Sequence, residues 1–129
     1  ARLDFDELGA GPNGEHGRIR ADPARLGDVI LGRKDTPASY HVAVVHDDAL
    51  QGVTDIVRGE DLFESTHIHV LLQKLLGLPT PIYRHHRLLT GPDGRRFAKR
   101  DASLTLRALR EAGCSTHDIR ARCGLPESP

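Results

Sequence analysis

The sequence predicts an α/β fold, on two observations. Short apolar runs of strand type alternate with segments whose apolar residues recur at helical spacing. A length of 129 residues also suffices for one compact domain with a real core and leaves little room for two. The charge is balanced, 18 basic against 18 acidic side chains, so no global field draws the chain to nucleic acid, although local basic patches remain. No run approaches the ~20 apolar residues of a membrane span, and the start does not read as a signal peptide. A cytoplasmic protein without a membrane partner is expected. The two cysteines, Cys114 and Cys123, are too few for a disulfide framework and fit free thiols. The chain contains no Met, and Ala1-Arg2-Leu3-Asp4-Phe5 reads like the middle of a domain, so a fragment is expected.

Taken in order, residues 9–27 are dense in Gly and Pro and predict an irregular connector, assigned to residues 1–26. Asp28 to Leu31 is a short run of strand type. Tyr40 to Val45 is ambiguous: its valines favour a strand, while Asp47 to Gln51 followed by Gly52 suits a helix end. Val53 to Val57 is β-branched at four positions and predicts a strand. The clearest helix follows, capped by Ser65 or Thr66, with Ile68, Leu71, Leu72, Leu75 and Leu76 on one face, and it stops at Gly77 before Pro79. Ile82 to Leu89 predicts another strand, and Gly91 to Gly94 a turn. A helix from Ser103 to Ala112 ends at Gly113, and Ser115 with Asp118 forms a capping-box signature opening a last short helix.

Three stretches could carry chemistry. The first is Tyr40 to Asp48, with Asp47 and Asp48 as a carboxylate pair that either ligates magnesium or is simply solvated. The second, Val57 to Leu62, places Arg58 at the C-terminal end of a strand, where open α/β sheets keep their ligand crevice. A guanidinium there offers a planar fork for a carboxylate, or else pairs structurally with Glu60 or Asp61. The third is the basic loop with Arg95, Arg96, Lys99 and Arg100. Such a loop gathers phosphate oxygens, touches a nucleic-acid backbone together with Arg107, Arg110, Arg120 and Arg122, or is merely solvated. The histidines lack the i, i+4 spacing of a zinc helix and no Cys-x-x-Cys occurs, so no metal is assigned.

In this order, the stretches resemble the second half of the catalytic domain of the glutamate-specific class I aminoacyl-tRNA synthetases. The resemblance runs from about Gly27 to Ala112. It rests on Gly27 to Leu31, Tyr40 to Gly52, Val53-Thr-Asp-Ile-Val-Arg58-Gly-Glu-Asp-Leu62, Ser65-Thr66, Leu75 to Pro79, Tyr83-Arg-His85, Gly91 to Gly94 and Phe97-Ala-Lys-Arg100. Tyr40 with Ala43-Val44-Val45, and the segment Ser103 to Ala112, resemble most the short branch that attaches glutamate to queuosine in the anticodon of tRNA(Asp). The resemblance implies the second half of a Rossmann-type nucleotide-binding domain at residues 27–100 and a helical tail at 101–129.

It further implies ATP-dependent activation of glutamate, with ATP and Mg2+ as cofactors, glutamate and tRNA(Asp) as partners, and a monomer when complete. Tyr40 and Arg58 would contact glutamate. Arg96, Phe97, Ala98, Lys99 and Arg100 would form the signature loop on ATP, with Lys99 as the catalytic cation. Arg96 stands where that loop usually has its first lysine, and Ala98 replaces its serine. His67 replaces a common Pro, and His86-Arg87 a common Leu-Pro. The family's first ATP signature and the branch's Cys-rich zinc segment belong to the upstream half, so zinc enters only there. Cys114 and Cys123 do not match those ligands. A single wall of such a site would be weakly active or inactive alone.

Overall fold

The computed structural model describes residues 2–91, 93–96 and 105–126. It divides into two units, residues 1–87 and 88–129.

The first unit is built on a four-stranded sheet of β1 (Asp4–Glu7), β2 (Gly17–Arg20), β3 (Asp55–Gly59) and β4 (Ile82–His86), in the order β2-β1-β4-β3. β1 and β2 pair antiparallel, with Phe5 opposite Ile19, while β4 runs parallel to both β1 and β3. Helix α1 (Tyr40–Leu50) precedes β3, and α2 (Phe63–Leu76) joins β3 to β4 as the crossover that a parallel pair requires. A 3-10 turn at Glu60–Leu62 leads directly into α2.

The connector expected over residues 1–26 is corrected by this sheet: it holds β1, an interior strand, and β2. Each strand has only four residues, and Asp4-Phe5-Asp6-Glu7 hides its alternation because the buried positions are Phe5 and Glu7. The chain leaves β1 alongside β4, with Leu8 and Ala10 donating to the carbonyls of Tyr83 and His85. Gly9 lies between them, and a Cβ there would collide with the His85 carbonyl. The strand expected at 28–31 is absent: the segment is irregular, with Ile30 and Leu31 exposed. The ambiguous Tyr40 segment is helical.

Phe5, Phe63, Val70, Tyr83 and Ala21 form the core between α2 and the sheet. Phe5 meets Phe63 and Tyr83 edge-on, at centroid distances of 6.1 and 5.5 Å. A second cluster, Val45, Ile68 and Leu72, joins α1 to α2, with Leu26, Val29, Val44 and Leu78 around it. Helix α2 is therefore covered from two directions. That corrects the single apolar face expected for it: Ile68 and Leu72 are buried, but Leu75 and Leu76 are 72% and 55% exposed. In their place the helix buries Thr66, His67, His69 and Gln73. The helix also starts before Ser65 and Thr66, so neither caps it, while Gly77 ends it in the left-handed conformation as expected.

In the second unit, Thr90 bridges to Arg96 across a turn closed by Gly91 N–H donating to Arg95 O at 2.8 Å. Helix α3 spans Leu106–Glu111, with Thr105 accepting from the Ala108 N–H, and α4 spans Thr116–Arg122. The capping box is formed as read: Ser115 Oγ accepts from Asp118 N–H, and Asp118 Oδ2 accepts from Ser115 N–H at 2.8 Å. Cys114 and Cys123 carry free thiols.

Candidate active site around Arg58

Arg58 lies near the C-terminal end of β3 and reaches toward the face covered by α2. Its Nε–H donates to His85 Nε2 at 3.0 Å, one NH1 hydrogen to His69 Nδ1 at 3.2 Å, and one NH2 hydrogen to Thr66 Oγ1 at 2.6 Å. These acceptors come from β4 and from two positions of α2, so the guanidinium is fixed by the same packing that builds the unit. Its central carbon also lies 5.2 Å from the centroid of the Tyr83 ring. All three acceptors are neutral side chains, and they do not include Glu60 or Asp61, the structural partners considered from sequence. Among the described residues three of the five N–H groups of the guanidinium are thus engaged, and one on each terminal nitrogen is not. Two N–H groups on a charged planar fork match a carboxylate.

The donor count fixes both imidazoles. His85 Nε2 accepts from Arg58, so neutral His85 carries its hydrogen on Nδ1, which faces Glu7 Oε2. His69 Nδ1 accepts from Arg58, so its hydrogen is on Nε2, directed at His41 Nδ1 at 3.0 Å. Burial holds His85 below the usual histidine range against the opposing pull of Glu7. His69 is pushed down to about 3, chiefly by burial and then by the Arg58 charge beside it. Tyr40 packs edge-on against the same His69 ring, 5.8 Å between centroids. Tyr40 and Arg58, singled out 18 positions apart in sequence, therefore meet on one residue that was not singled out. Tyr40 and His41 also line a cleft of about 330 Å3 with Arg33 and Thr36.

His67 is buried between Phe5 and Phe63, and its Nδ1 accepts from the Asp22 N–H at 3.0 Å, so it ties α2 to the chain after β2. His86 is exposed. Asp47 pairs with His46 on the surface at 3.0 Å. Among the described residues no group of three or more His, Cys, Asp or Glu side chains is placed to hold a metal ion. The signature-loop candidates Phe97, Ala98, Lys99 and Arg100 lie outside the described residues, and Arg96 pairs with Thr90 across the turn. No helix among the described residues is long and apolar enough to cross a membrane.

The neutral buried imidazoles make the fold acid-sensitive. In the folded chain His69 takes its proton at about 3, against 6.5 for an unperturbed group, so the unfolded chain binds more protons throughout that interval. Stability is full above the unperturbed value and falls as the pH drops below it, by up to about 1.4 kcal/mol per pH unit for this group. Urea midpoints measured across that range should fall with acidity, and His69→Gln should flatten the slope. An unchanged slope would remove His69 as the cause.

The mixed sheet, its crossover helix and an arginine near the C-terminal end of a strand have the layout of an α/β domain whose ligand crevice lies at the strand ends. Residues 12–124 match the family described as tRNA synthetases class I (E and Q), catalytic domain, and the chain belongs to it. Among curated relatives, the chain is 50% identical over 123 residues to glutamyl-Q tRNA(Asp) synthetase of Rhodobacter capsulatus, covering 94% of this chain and 44% of that protein. It is 44% identical over 115 residues to glutamyl-Q tRNA(Asp) synthetase of Symbiobacterium thermophilum, covering 89% of this chain and 34% of the relative. The chain thus spans less than half the length of these relatives. Among solved structures, glutamate-tRNA synthetase from Elizabethkingia anophelis superimposes with a TM-score of 0.62 at 27% identity, over 80% of this chain and 20% of that one. A glutamate tRNA ligase from Elizabethkingia meningosepticum in complex with its amino acid gives the same TM-score and coverage.

Proposed function

We propose that the protein carrying this chain activates glutamate with ATP and transfers it to queuosine in the anticodon of tRNA(Asp). In the activation step a glutamate carboxylate oxygen attacks the α-phosphorus of ATP, pyrophosphate leaves with the P–O bond electrons, and glutamyl-adenylate forms. One observation carries the reading: Arg58, held by three neutral acceptors beside Tyr40, keeps two N–H groups for a carboxylate. Tyr40 and Arg58 form the glutamate side of the site. Lys99, with Arg96, Phe97, Ala98 and Arg100 in the signature loop, stabilises charge developing on the phosphates. Class I synthetases use ATP and Mg2+. The described residues offer no cluster of ligands for the ion, and no step is assigned to it. Tyr40 and Arg58 supply one side of a site at most, and positioning both substrates takes more than one side.

The test is glutamate-dependent ATP–pyrophosphate exchange by the natural full-length protein. Exchange is expected, and Lys99→Ala should lower its kcat by roughly 100- to 1000-fold without moving the melting temperature. No exchange in a folded protein would overturn the enzyme reading in favour of an RNA-binding module, whose affinity would fall steeply with salt and ignore glutamate. The superposition on glutamate-tRNA synthetases favours a second reading, in which the acceptor is the end of tRNA(Glu). Nuclease digestion of the charged tRNA separates the two: label on the anticodon fragment supports the queuosine acceptor, and label on the terminal nucleoside supports the alternative.

A further inference from the structure

Resting on the reading of Arg58 as the glutamate-binding cation, we infer that Glu7 is a positioning residue for that substrate, acting through the tautomer of His85. Glu7 stands 78 positions from His85 in sequence, and both side chains are fully buried. Glu7 Oε1 accepts two backbone hydrogens, from Gly9 N–H and His85 N–H, each at 2.9 Å. Its Oε2 accepts from His85 Nδ1–H. That bond keeps the hydrogen on Nδ1 and leaves Nε2 bare, the only state in which His85 accepts from Arg58 Nε–H. Glu7, His85 and Arg58 form a directed chain from a carboxylate in β1, through an imidazole in β4, to a guanidinium in β3.

The interposed imidazole has a definite use. A carboxylate placed directly on Arg58 would take the fork and offset the charge that a ligand needs. With His85 between them, Glu7 balances the half-buried cation at a distance, and Arg58 keeps two N–H groups that no described residue takes. His69 does the corresponding work at NH1, its Nε2–H committed to His41 Nδ1. Thr66 Oγ1 completes the cradle, 3.4 Å from His85 Nε2. None of Glu7, His85 or His69 needs to touch glutamate. They set the angle at which Arg58 meets it.

The isosteric change Glu7→Gln isolates the inference. With its amide oxygen on the two backbone N–H groups, the amide nitrogen faces His85 Nδ1 and drives the hydrogen to Nε2, where it opposes Arg58 Nε–H. With the amide reversed, its NH2 faces two backbone donors, and the bond network fails at the other oxygen. In the natural full-length protein, Glu7→Gln is expected to raise the glutamate KM roughly 10- to 100-fold, with the ATP KM unmoved. Glu7→Asp, which keeps the acceptor, should recover part of that loss. Ring 15N correlations are expected to show His85 protonated at Nδ1 in the unaltered protein and at Nε2 in Glu7→Gln. A moved tautomer with an unmoved glutamate KM, or equal rises in both KM values, would overturn the inference. If Glu7→Gln does not fold, the unaltered protein decides: protonation at Nδ1 alone supports the inference, and protonation at Nε2 overturns it. Failure of the underlying reading looks different, because Arg58→Ala would then leave the glutamate KM unchanged. A normal Arg58→Ala loss beside an inert Glu7→Gln sinks the positioning role alone.

Discussion

Arg58→Ala is expected to weaken glutamate by roughly 100- to 10,000-fold while the ATP KM stays near its starting value. The magnitude follows from two lost charge-assisted hydrogen bonds at about 1.5–3 kcal/mol each. The selectivity follows from geometry, because the guanidinium is committed by three internal bonds to one place in the first unit. The change also leaves His85 Nε2, His69 Nδ1 and Thr66 Oγ1 without their donor and the Glu7–His85 pair without its nearby cation, so the melting temperature should fall as well. Arg58→Lys separates the effects. An ammonium keeps the charge but has three donors for three acceptors and a ligand, so stability should recover more than glutamate affinity does. KM values for both substrates, measured by pyrophosphate exchange on the three proteins, check this. Equal losses for glutamate and ATP would remove Arg58 from the amino-acid side of the site.

What could be read in advance was local. The α2 helix, its Gly77 stop and the Ser115–Asp118 capping box are signals carried within a few residues, and each is in the structure. The resemblance singled out Tyr40 and Arg58 because ordered motifs need no knowledge of packing. Thr66 and His85 lie in stretches that carry the resemblance but had no role assigned, and Glu7 and His69 left no trace at all. Glu7, His69 and His85 are ordinary polar letters whose meaning comes from partners 78, 28 and 27 positions away. Glu7 in a short strand looks solvated, and Thr66 looks like a helix cap until Arg58 is seen donating to it. The same cause misplaced the face of α2. Periodicity assumes one covering neighbour, whereas this helix has the sheet on one side and α1 on another, and it buries polar residues toward the site between them.

Phe63 tests that packing where the energetic consequence is largest. It is the first residue of α2, 1% exposed, with Phe5, His67 and His85 at ring-centroid distances of 6.1, 5.8 and 5.2 Å. Phe63→Ala removes a ring that touches β1, β4 and the next turn of its own helix at once, and close packing leaves little to collapse into the space. The expected cost is about 3–5 kcal/mol, a large share of the roughly 5–15 kcal/mol that holds a domain folded. The urea midpoint should drop sharply with its slope unchanged. Leu75→Ala is the control, because its side chain was expected in the core and is 72% exposed. It should stay within about 0.5 kcal/mol of the unaltered protein. The reverse ranking would mean that α2 presents its leucine face inward after all. Arg58 would then lose Thr66 and His69, the two of its three acceptors that stand on that helix.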